Sequence, residues 1–214
     1  MKPTRTLMLI AAACALAVLP CAALATPVAQ GGVVYVDGTP QAFAVVFDGE
    51  ESVDDAQLSI NGVAMTSEGD GLYSLDMAGY SAGDTLVFTA NDAEGNLIYT
   101  SSGVIPAEVK MTSPRLPHVA GAEYTLEWAG GSGATAFAAD YADMISGLVY
   151  SDNFASGKGS MTIPAGITYA GDAVFAASAI SGDTKFLNLT EEDLQTRSYF
   201  LINRSAWIEV DLAQ

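Results

Sequence analysis

The sequence predicts an all-β protein made of two antiparallel β-sandwiches in tandem. Many short runs of Val, Ile, Tyr, Phe and Thr are separated by Gly, Asp, Asn and Ser, which is the pattern of strands and turns. Helical periodicity is almost absent, and strands do not alternate with helices, so antiparallel sheets are favoured over parallel ones. A stretch in the first half of the chain returns in the second half at an offset of 87 to 88 residues, which indicates two related domains.

The amino terminus has the three parts of an export signal. Lys2 and Arg5 form a positive end, residues 7–19 form an apolar run, and small residues end at Ala25. We therefore expect cleavage after Ala25 and an exported mature chain, periplasmic or extracellular. The apolar run is shorter than the roughly 20 residues of a membrane span, so no membrane span is expected.

Both cysteines, Cys14 and Cys21, lie within this predicted signal at residues 1–25. The mature chain is thus expected to contain no thiol, which excludes disulfides and cysteine nucleophiles from it. About 190 residues can bury an adequate core without disulfides. A second interpretation makes Cys21 a lipid-modified first residue, because residues 18–21 resemble a lipoprotein motif, although Pro20 stands where a small residue is expected.

The predicted mature chain is strongly acidic. Eight basic residues less Lys2 and Arg5 leave six against 25 acidic ones, and the six are scattered singly. Nucleic acids and anionic membranes are bound by clusters of basic side chains, so neither is an expected partner. The acidity is interpreted as solubility outside the cytoplasm, with cation binding as the alternative.

The first series of strands begins with a hairpin, in which residues 33–37 and 43–48 flank Gly38-Thr39-Pro40. The strand at 58–60 leads into Asn61-Gly62, the dipeptide that best tolerates the positive φ angles of a tight hairpin turn. Further strands are expected at 72–77, 85–90 and 97–101, with a turn over 91–96.

The second series of strands is preceded by a segment unsuited to a central strand, because Pro114 and Pro117 lack backbone donors. We expect a first sandwich over 26–108, a linker or edge segment over 109–120 and a second sandwich over 121–214. The helical candidate is 190–195, where acidic residues favour a helix start. Strands of the second series are expected at 124–128, 136–141, 147–151, 160–163, 173–180, 185–189, 198–202 and 206–212.

The internal repeat matches residues 82–90 with residues 170–177. In both copies Gly-Asp is expected to form a turn, and the apolar run that follows is expected to be a core strand. At these residues the chain resembles the immunoglobulin-like and fibronectin type III-like modules of exported bacterial proteins. The offset is about the length of one such domain.

The resemblance covers residues 57–212, with 111–114 and Tyr124 to Trp128 as opening strands and Trp128 as a buried core aromatic. Where these families often have a corner tyrosine, this chain has Leu86 or Val87, and Val174. The resemblance implies a spacer, an adhesive unit or a sugar-binding accessory, and it names no partner.

Catalytic residues are scarce, so no enzyme is expected. The one histidine, His118, lies beside Pro117, and no serine has the setting of a nucleophile elbow. The acid pairs at 50–51 and 54–55 are expected to be solvated loop residues rather than an acid and a base.

Calcium is the one cofactor that the sequence leaves open, because hard cations need only oxygen ligands. Asp92, Glu94 and Asn96 in the acidic turn are the candidate ligands. The turn lacks the register of an EF-hand loop, and an ordinary acidic turn is the favoured interpretation.

Two functional hypotheses follow. The first is a binding or structural protein of the cell envelope, which presents loops or a strand edge to a protein partner. The second is a carbohydrate-binding module, calcium-dependent in one version, in which Tyr141, Tyr150 and Phe154 stack on sugars. Aromatic residues in sandwich strands more often belong to the core.

Overall fold

The computed structural model describes residues 27–36, 38–113, 119–143, 147–155, 159–187, 190 and 196–212. In these residues the chain forms sixteen β-strands and one turn of 3-10 helix at Thr184–Phe186, so the all-β fold class is confirmed. No helix in this part of the chain is long and apolar enough to cross a membrane. The export signal with both cysteines, His118 and most of the helical candidate at 190–195 lie outside the described residues.

The chain divides into two compact units. Unit 1 comprises the described residues before 81, residues 85–103 and residues 188–201, whereas unit 2 comprises 81–84, 104–187 and the residues after 201. Unit 1 therefore includes a segment close to the carboxyl end of the chain. The domain boundaries expected from the sequence place that segment in the second sandwich, and they stay a prediction.

Unit 1 contains two sheets. In the first, the order is β1 (Val28–Val36), β2 (Thr39–Asp48), β7 (Leu72–Asp76) and β6 (Thr66–Gly69), with β3 (Glu51–Ser52) beside β2. In the second, the order is β5 (Val63–Ala64), β4 (Gln57–Ile60), β8 (Thr85–Asn91) and β9 (Leu97–Val104). The pairs β1–β2, β2–β7, β6–β7, β4–β5 and β4–β8 are antiparallel.

Unit 2 also contains two sheets. One has the order β10 (Val109–Met111), β11 (Tyr124–Gly130) and β14 (Ser160–Ile163). The other has the order β13 (Gly147–Ala155), β12 (Ala136–Asp143), β15 (Gly171–Gly182) and β16 (Tyr199–Leu212). The first three residues of β16 belong to unit 1, where this strand is the neighbour of β1.

The strand order confirms the immunoglobulin-like resemblance. Lettered in chain order without the short β3, the strands of unit 1 lie as A-B-E-D and C′-C-F-G. The strands of unit 2 lie as A-B-E and C′-C-F-G. Sheets of this composition define the immunoglobulin-like sandwich.

Both predicted hairpins of unit 1 are confirmed, but Thr39 and Pro40, predicted as turn residues of the first, are the first two residues of β2. Val36 pairs with Thr39 at the end of the first hairpin. In the second, Ile60 pairs with Val63 around Asn61 and Gly62, whose φ angles are 50° and 78°. Two consecutive positive φ angles are those of a type I′ turn, whose twist matches the flanking strands.

The two copies of the repeat form equivalent interior strands, the F strands β8 and β15. Gly83 has a φ angle of 93° ahead of β8, whereas Gly171, with a φ angle of 116°, is the first residue of β15. The turn expected at Gly171-Asp172 is therefore wrong, because both residues belong to the strand. Residues at an offset of 87 are buried in both copies: Leu86, Phe88 and Ala90 in the first, and Ala173, Phe175 and Ala177 in the second.

Aromatic rings fill the core of unit 2, and Trp128, which was predicted to be a buried core residue, is one of them. Trp128 is 6% exposed, and its ring centroid lies 6.2 Å from that of Phe137 and 6.0 Å from that of Phe154. Phe175 contacts Tyr141 and Tyr124 at 5.2 and 5.6 Å. The predicted burial of Trp128 is therefore confirmed.

Near the carboxyl end one predicted strand is wrong, and a predicted break between two strands is absent. The segment predicted as a strand at 185–189 begins in a 3-10 turn, because β15 runs on to Gly182 and the chain then turns at Asp183. The strands predicted at 198–202 and 206–212 are one strand. Polar residues at 203–205 resemble a turn in sequence, but Ser205 Oγ bonds Ser178 Oγ of the neighbouring strand at 2.7 Å.

Candidate interaction edge

The strand β9 ends the second sheet of unit 1 in the described part of the chain. Its eight residues, LIYTSSGV, include no charged side chain. Leu97 at its start is 61% exposed, and Thr100 and Ser102 are also exposed. The outer backbone groups of an edge strand are the groups that another strand can pair with, so β9 is a candidate interaction edge.

The sheet behind this edge is uncharged as well. None of the strands β4, β5, β8 and β9 contains an acidic or basic residue. Val63 and Val87 are 48% and 42% exposed. In a chain with a net charge of −17, such a surface lets a second polypeptide approach without burying a charge.

Other edges carry the features that natural proteins use against edge pairing. β6 carries Glu68 and has an irregular pairing with β7. β13 carries Asp152 and has an irregular pairing with β12. β10 is three residues long and carries Lys110. Among these strands β9 is the one that is both long and uncharged.

The start of β9 borders a hollow of about 360 Å³ within unit 1. The wall is formed by apolar and hydroxyl side chains together with one carboxylate: Pro27, Val28, Asp92, Leu97, Ile98, Thr196 and Ser198. In strand pairing, pockets beside the edge receive alternate side chains of the added strand and give specificity.

The predicted metal ligands lie in the turn between β8 and β9. The backbone nitrogen of Asn96 donates to Asp92 Oδ1 at 2.7 Å, and Asn96 Nδ2 donates to Asp92 Oδ2 at 2.8 Å. These hydrogen bonds, led by that from the Asn96 side chain, lower the pKa of Asp92. A cation would compete with both donors for the same carboxylate oxygens of Asp92. In the described residues, no group of three or more His, Cys, Asp or Glu side chains is arranged to hold a metal ion. Calcium binding at Asp92, Glu94 and Asn96 stays a prediction.

The predicted sugar-stacking residues do not form an exposed platform. Tyr141 is fully buried, Phe154 is 8% exposed, and the partly buried Tyr150 packs against the same core. Tyr141 and Phe154 are therefore core residues, the alternative that sandwich strands favour. Exposed rings occur instead at Tyr169 and Trp207.

Three buried tyrosines anchor loops through their hydroxyl groups, a role that the sequence analysis missed. Tyr73 on β7 accepts a hydrogen bond from Ala56 N at 3.0 Å and donates to the Val53 carbonyl oxygen at 2.8 Å. Tyr124 and Tyr141 bond to the backbone at residues 119 and 169. The alternation of apolar and polar residues in these strands predicts that the tyrosines are buried. It does not predict which loop each hydroxyl group contacts.

The acidic pairs considered as a catalytic acid and base are exposed at all four positions, 50, 51, 54 and 55. Asp54 accepts a hydrogen bond from the backbone nitrogen of Gly71, which ties two loops of unit 1 together. The interpretation of these residues as solvated loop acids agrees with their exposure.

No family model matches the sequence, and no curated protein matches it. Similar solved structures include the fibronectin(III)-like modules of CbhA from Clostridium thermocellum, with 10% identity, a TM-score of 0.32 and coverage of 89% of this chain and 93% of that one. The fibronectin-III array of RIM-binding protein has 9% identity, a TM-score of 0.26 and coverage of 90% and 71%. The FN1–FN3 domains of chicken CNTN1 have 10% identity, a TM-score of 0.31 and coverage of 91% and 66%. All three TM-scores are below 0.5, so the assignment of the fold rests on the strand order described above.

Proposed function

We propose that this chain is an exported, non-catalytic binding or structural protein of the cell envelope, which pairs with a protein partner through β9. The proposal is carried by one observation: residues 97–103 of β9, which belong to unit 1, form an uncharged edge on a sheet whose four strands contain no charge. Export is supported by the signal pattern of residues 1–25. A non-catalytic role is supported by the single histidine and by cysteines that occur only in that signal.

Pairing through β9 is strand addition, in which an extended segment of the partner adds to the edge of the sheet. Backbone hydrogen bonds supply affinity, and the exposed Leu97 and the hollow beside it distinguish one side chain from another. The net charge of −17 attracts a partner with basic residues outside the paired segment. The uncharged edge then pairs without the cost of desolvating an ionised group.

Thr100→Lys combined with Ser102→Lys tests this proposal, because both residues are exposed on β9 and lysine on an edge strand opposes pairing. We expect immobilised full chain to capture a partner from an envelope extract and the double variant to lose that capture. Hydrogen–deuterium exchange of the captured complex is expected to show protection at residues 97–104.

Thr66→Lys combined with Ser67→Lys is the matched control, since it places the same two charges at exposed positions of the edge strand β6. This variant is expected to capture the partner normally. Equal capture by both variants, with protection of amides outside β9, would refute the proposed edge.

A further inference from the structure

In unit 2, one face of the sheet formed by β13, β12, β15 and β16 points away from the core. Tyr141 on β12 and Phe175 on β15 belong to the core, so the residues next to them in each strand point to the opposite face. On that face Asp140 pairs in register with Ala176 of β15 and with Ser151 of β13. The alanine is half-buried and the serine exposed, so small residues flank the Asp140 carboxylate on both sides.

An exposed tryptophan lies on the same face. The residues on either side of Trp207 in β16 pack against the core, so Trp207 points away from it, and its side chain is 43% exposed. Ser205 Oγ lies 2.7 Å from Ser178 Oγ on β15. Because β15 and β16 are the F and G strands of an antiparallel sheet, a step of two residues from this pair places Trp207 beside Ala176. Asp140 and Trp207 therefore flank Ala176, about 10 Å apart in backbone position.

The charge of Asp140 is poorly compensated within the protein. The carboxylate accepts one hydrogen bond, from Ser151 Oγ at 2.6 Å, and in the part of the chain that the structure describes no basic side chain lies within ion-pair distance of it. Burial raises the pKa of Asp140 in spite of that bond, so the ionised carboxylate is held at a cost to the stability of the fold. Perturbed carboxylates of this kind cluster at functional sites.

We infer that Asp140 and Trp207 form a binding site for a basic side chain, lysine or arginine, of a partner protein. A cation within about 6 Å of an indole ring is attracted to its face, and within about 4 Å of a carboxylate it forms an ion pair. A backbone spacing of about 10 Å allows one cation to make both contacts. Glu209, two residues further along β16, is exposed on the same face and adds to the attraction.

The charge of Asp140 favours a cation over a sugar as the ligand. A sugar ring also stacks on an exposed indole, but its hydroxyl groups would leave the negative charge of the half-buried carboxylate in place. A lysine or arginine side chain neutralises that charge as it covers it. The site belongs to unit 2, whereas residues 97–103 of β9 belong to unit 1, so this inference does not rest on the proposed function.

The test titrates ¹³C,¹⁵N-labelled full chain with Nα-acetyl-arginine methylamide and, separately, with its neutral citrulline analogue, and follows the amide resonances of β12, β15 and β16. We expect a saturable shift with the arginine compound and none with the citrulline compound. Asp140→Asn and Trp207→Leu are each expected to raise the dissociation constant at least about threefold. The Asp140 carboxyl resonance should titrate at lower pH with the arginine compound bound, because a nearby cation favours the ionised form.

Asp152→Asn is the matched control for charge, because it removes one negative charge from an exposed position on β13. Tyr169→Leu is the control for the ring, since Tyr169 is exposed and lies outside these strands. Both variants are expected to leave the dissociation constant unchanged. An equal loss of affinity in Asp152→Asn and Asp140→Asn, a saturable shift with methyl glucoside but not with the arginine compound, or no saturable shift at all would overturn the inference.

Discussion

Two buried or half-buried polar groups show how single residues hold the sheets and loops of this protein. The Tyr73 hydroxyl joins two backbone groups of one loop in unit 1. In unit 2 the half-buried carboxylate of Asp140 accepts a hydrogen bond from Ser151 Oγ at 2.6 Å. Both groups lose contact with water on folding, but the Tyr73 hydroxyl makes two hydrogen bonds and the Asp140 carboxylate only one. We therefore expect removal of the hydroxyl to lower the stability of the protein and removal of the carboxylate charge to raise it.

Tyr73→Phe is expected to lower the free energy of unfolding. The change removes both hydrogen bonds and leaves the buried amide of Ala56 without its acceptor, which costs about 1–3 kcal/mol. Urea unfolding measures the loss, with Tyr80→Phe as the control because Tyr80 is only partly buried. Equal stabilities of the two variants would contradict the anchoring role of the Tyr73 hydroxyl.

Asp140→Asn is expected to raise the thermal midpoint at neutral pH. Burial raises the pKa of Asp140 above its ordinary value, although the bond from Ser151 acts in the opposite direction. A raised folded-state pKa means that stability falls as the pH rises from the ordinary pKa through the raised one, because the folded protein then holds a proton that the unfolded chain has released. The neutral amide removes that loss.

The pH dependence distinguishes this explanation from a general effect of net charge. The advantage of Asp140→Asn is expected to shrink as the pH falls below the raised pKa of Asp140, where the carboxyl group is already protonated. Asp152→Asn removes one negative charge from an exposed site on the adjacent strand and should show no such advantage. A gain for Asp140→Asn that is constant over pH would contradict burial as its cause.

At the scale of the element, the β4–β5 hairpin joins local turn geometry to sheet structure. Asn61 and Gly62 supply the positive φ angles. The Asn61 side chain also donates to the Thr85 carbonyl oxygen at 3.1 Å and accepts from Val87 N at 2.8 Å. The turn is therefore tied to β8 as well as to its own two strands.

Gly62→Val is expected to destabilise the protein by about 1–2 kcal/mol, the cost of a left-handed conformation for a residue with a Cβ atom. No heavy atom lies within 4 Å of a Cβ atom built at Gly62, so the cost is conformational rather than a clash. Gly62→Asn is the matched variant, since asparagine tolerates positive φ. Chemical denaturation should place Gly62→Asn close to the unsubstituted chain, and an equal loss in both variants would contradict this account.

At the scale of the whole molecule, β16 has residues in both units, because Tyr199–Leu212 continues from unit 1 into unit 2 without a break. A strand that spans the boundary of two units is expected to couple their unfolding, since neither unit can release its part of the strand without loosening the other. The chain has two tryptophans, Trp128 and Trp207, and both belong to unit 2. Their fluorescence reports on unit 2 alone.

Phe200→Ala, a change in unit 1, is therefore expected to lower the midpoint of the tryptophan fluorescence transition. Truncation of a buried phenylalanine costs about 3–5 kcal/mol, and coupling transmits that cost to unit 2. The circular dichroism and fluorescence transitions are expected to coincide in both proteins. Leu97→Ala, at an exposed position, is the control and should shift neither, whereas a fluorescence midpoint unmoved by Phe200→Ala would show that the units unfold separately.

Most strands could be predicted because their signals are local. Alternation of apolar and polar residues marks β4, β8 and β11, and Asn61-Gly62 marks a turn whichever sheet contains it. The single strand β16 could not be predicted, because Asn203, Arg204 and Ser205 resemble a turn until their partners are known. The Arg204 guanidinium, for example, donates to the Pro106 carbonyl oxygen at 3.2 Å, almost a hundred residues away.

The sequence predicted the kind of candidate site, a loop or a strand edge, but not its location. A strand edge was one of the surfaces that the first hypothesis named, but which edge is exposed depends on strand order, and strand order depends on pairings between distant segments. The same limit applies to the sugar-stacking candidates, since Tyr141 and Phe154 have the same sequence pattern whether their rings face a partner or a core.

The sequence by itself determined the all-β class and the turn at Asn61-Gly62, because each depends on composition or on residues adjacent in the chain. The equivalence of the two repeat copies followed from their matching residues, and the burial of Trp128 was implied by the resemblance to immunoglobulin-like modules. The tertiary structure decided that β9 ends its sheet, that tyrosine hydroxyls anchor loops and that Phe200 occupies the edge of β1. Those features depend on contacts between residues up to 169 positions apart, such as Ala29 and Ser198. A periodic pattern predicts which face of a strand is buried, but it does not predict which other strand packs against that face.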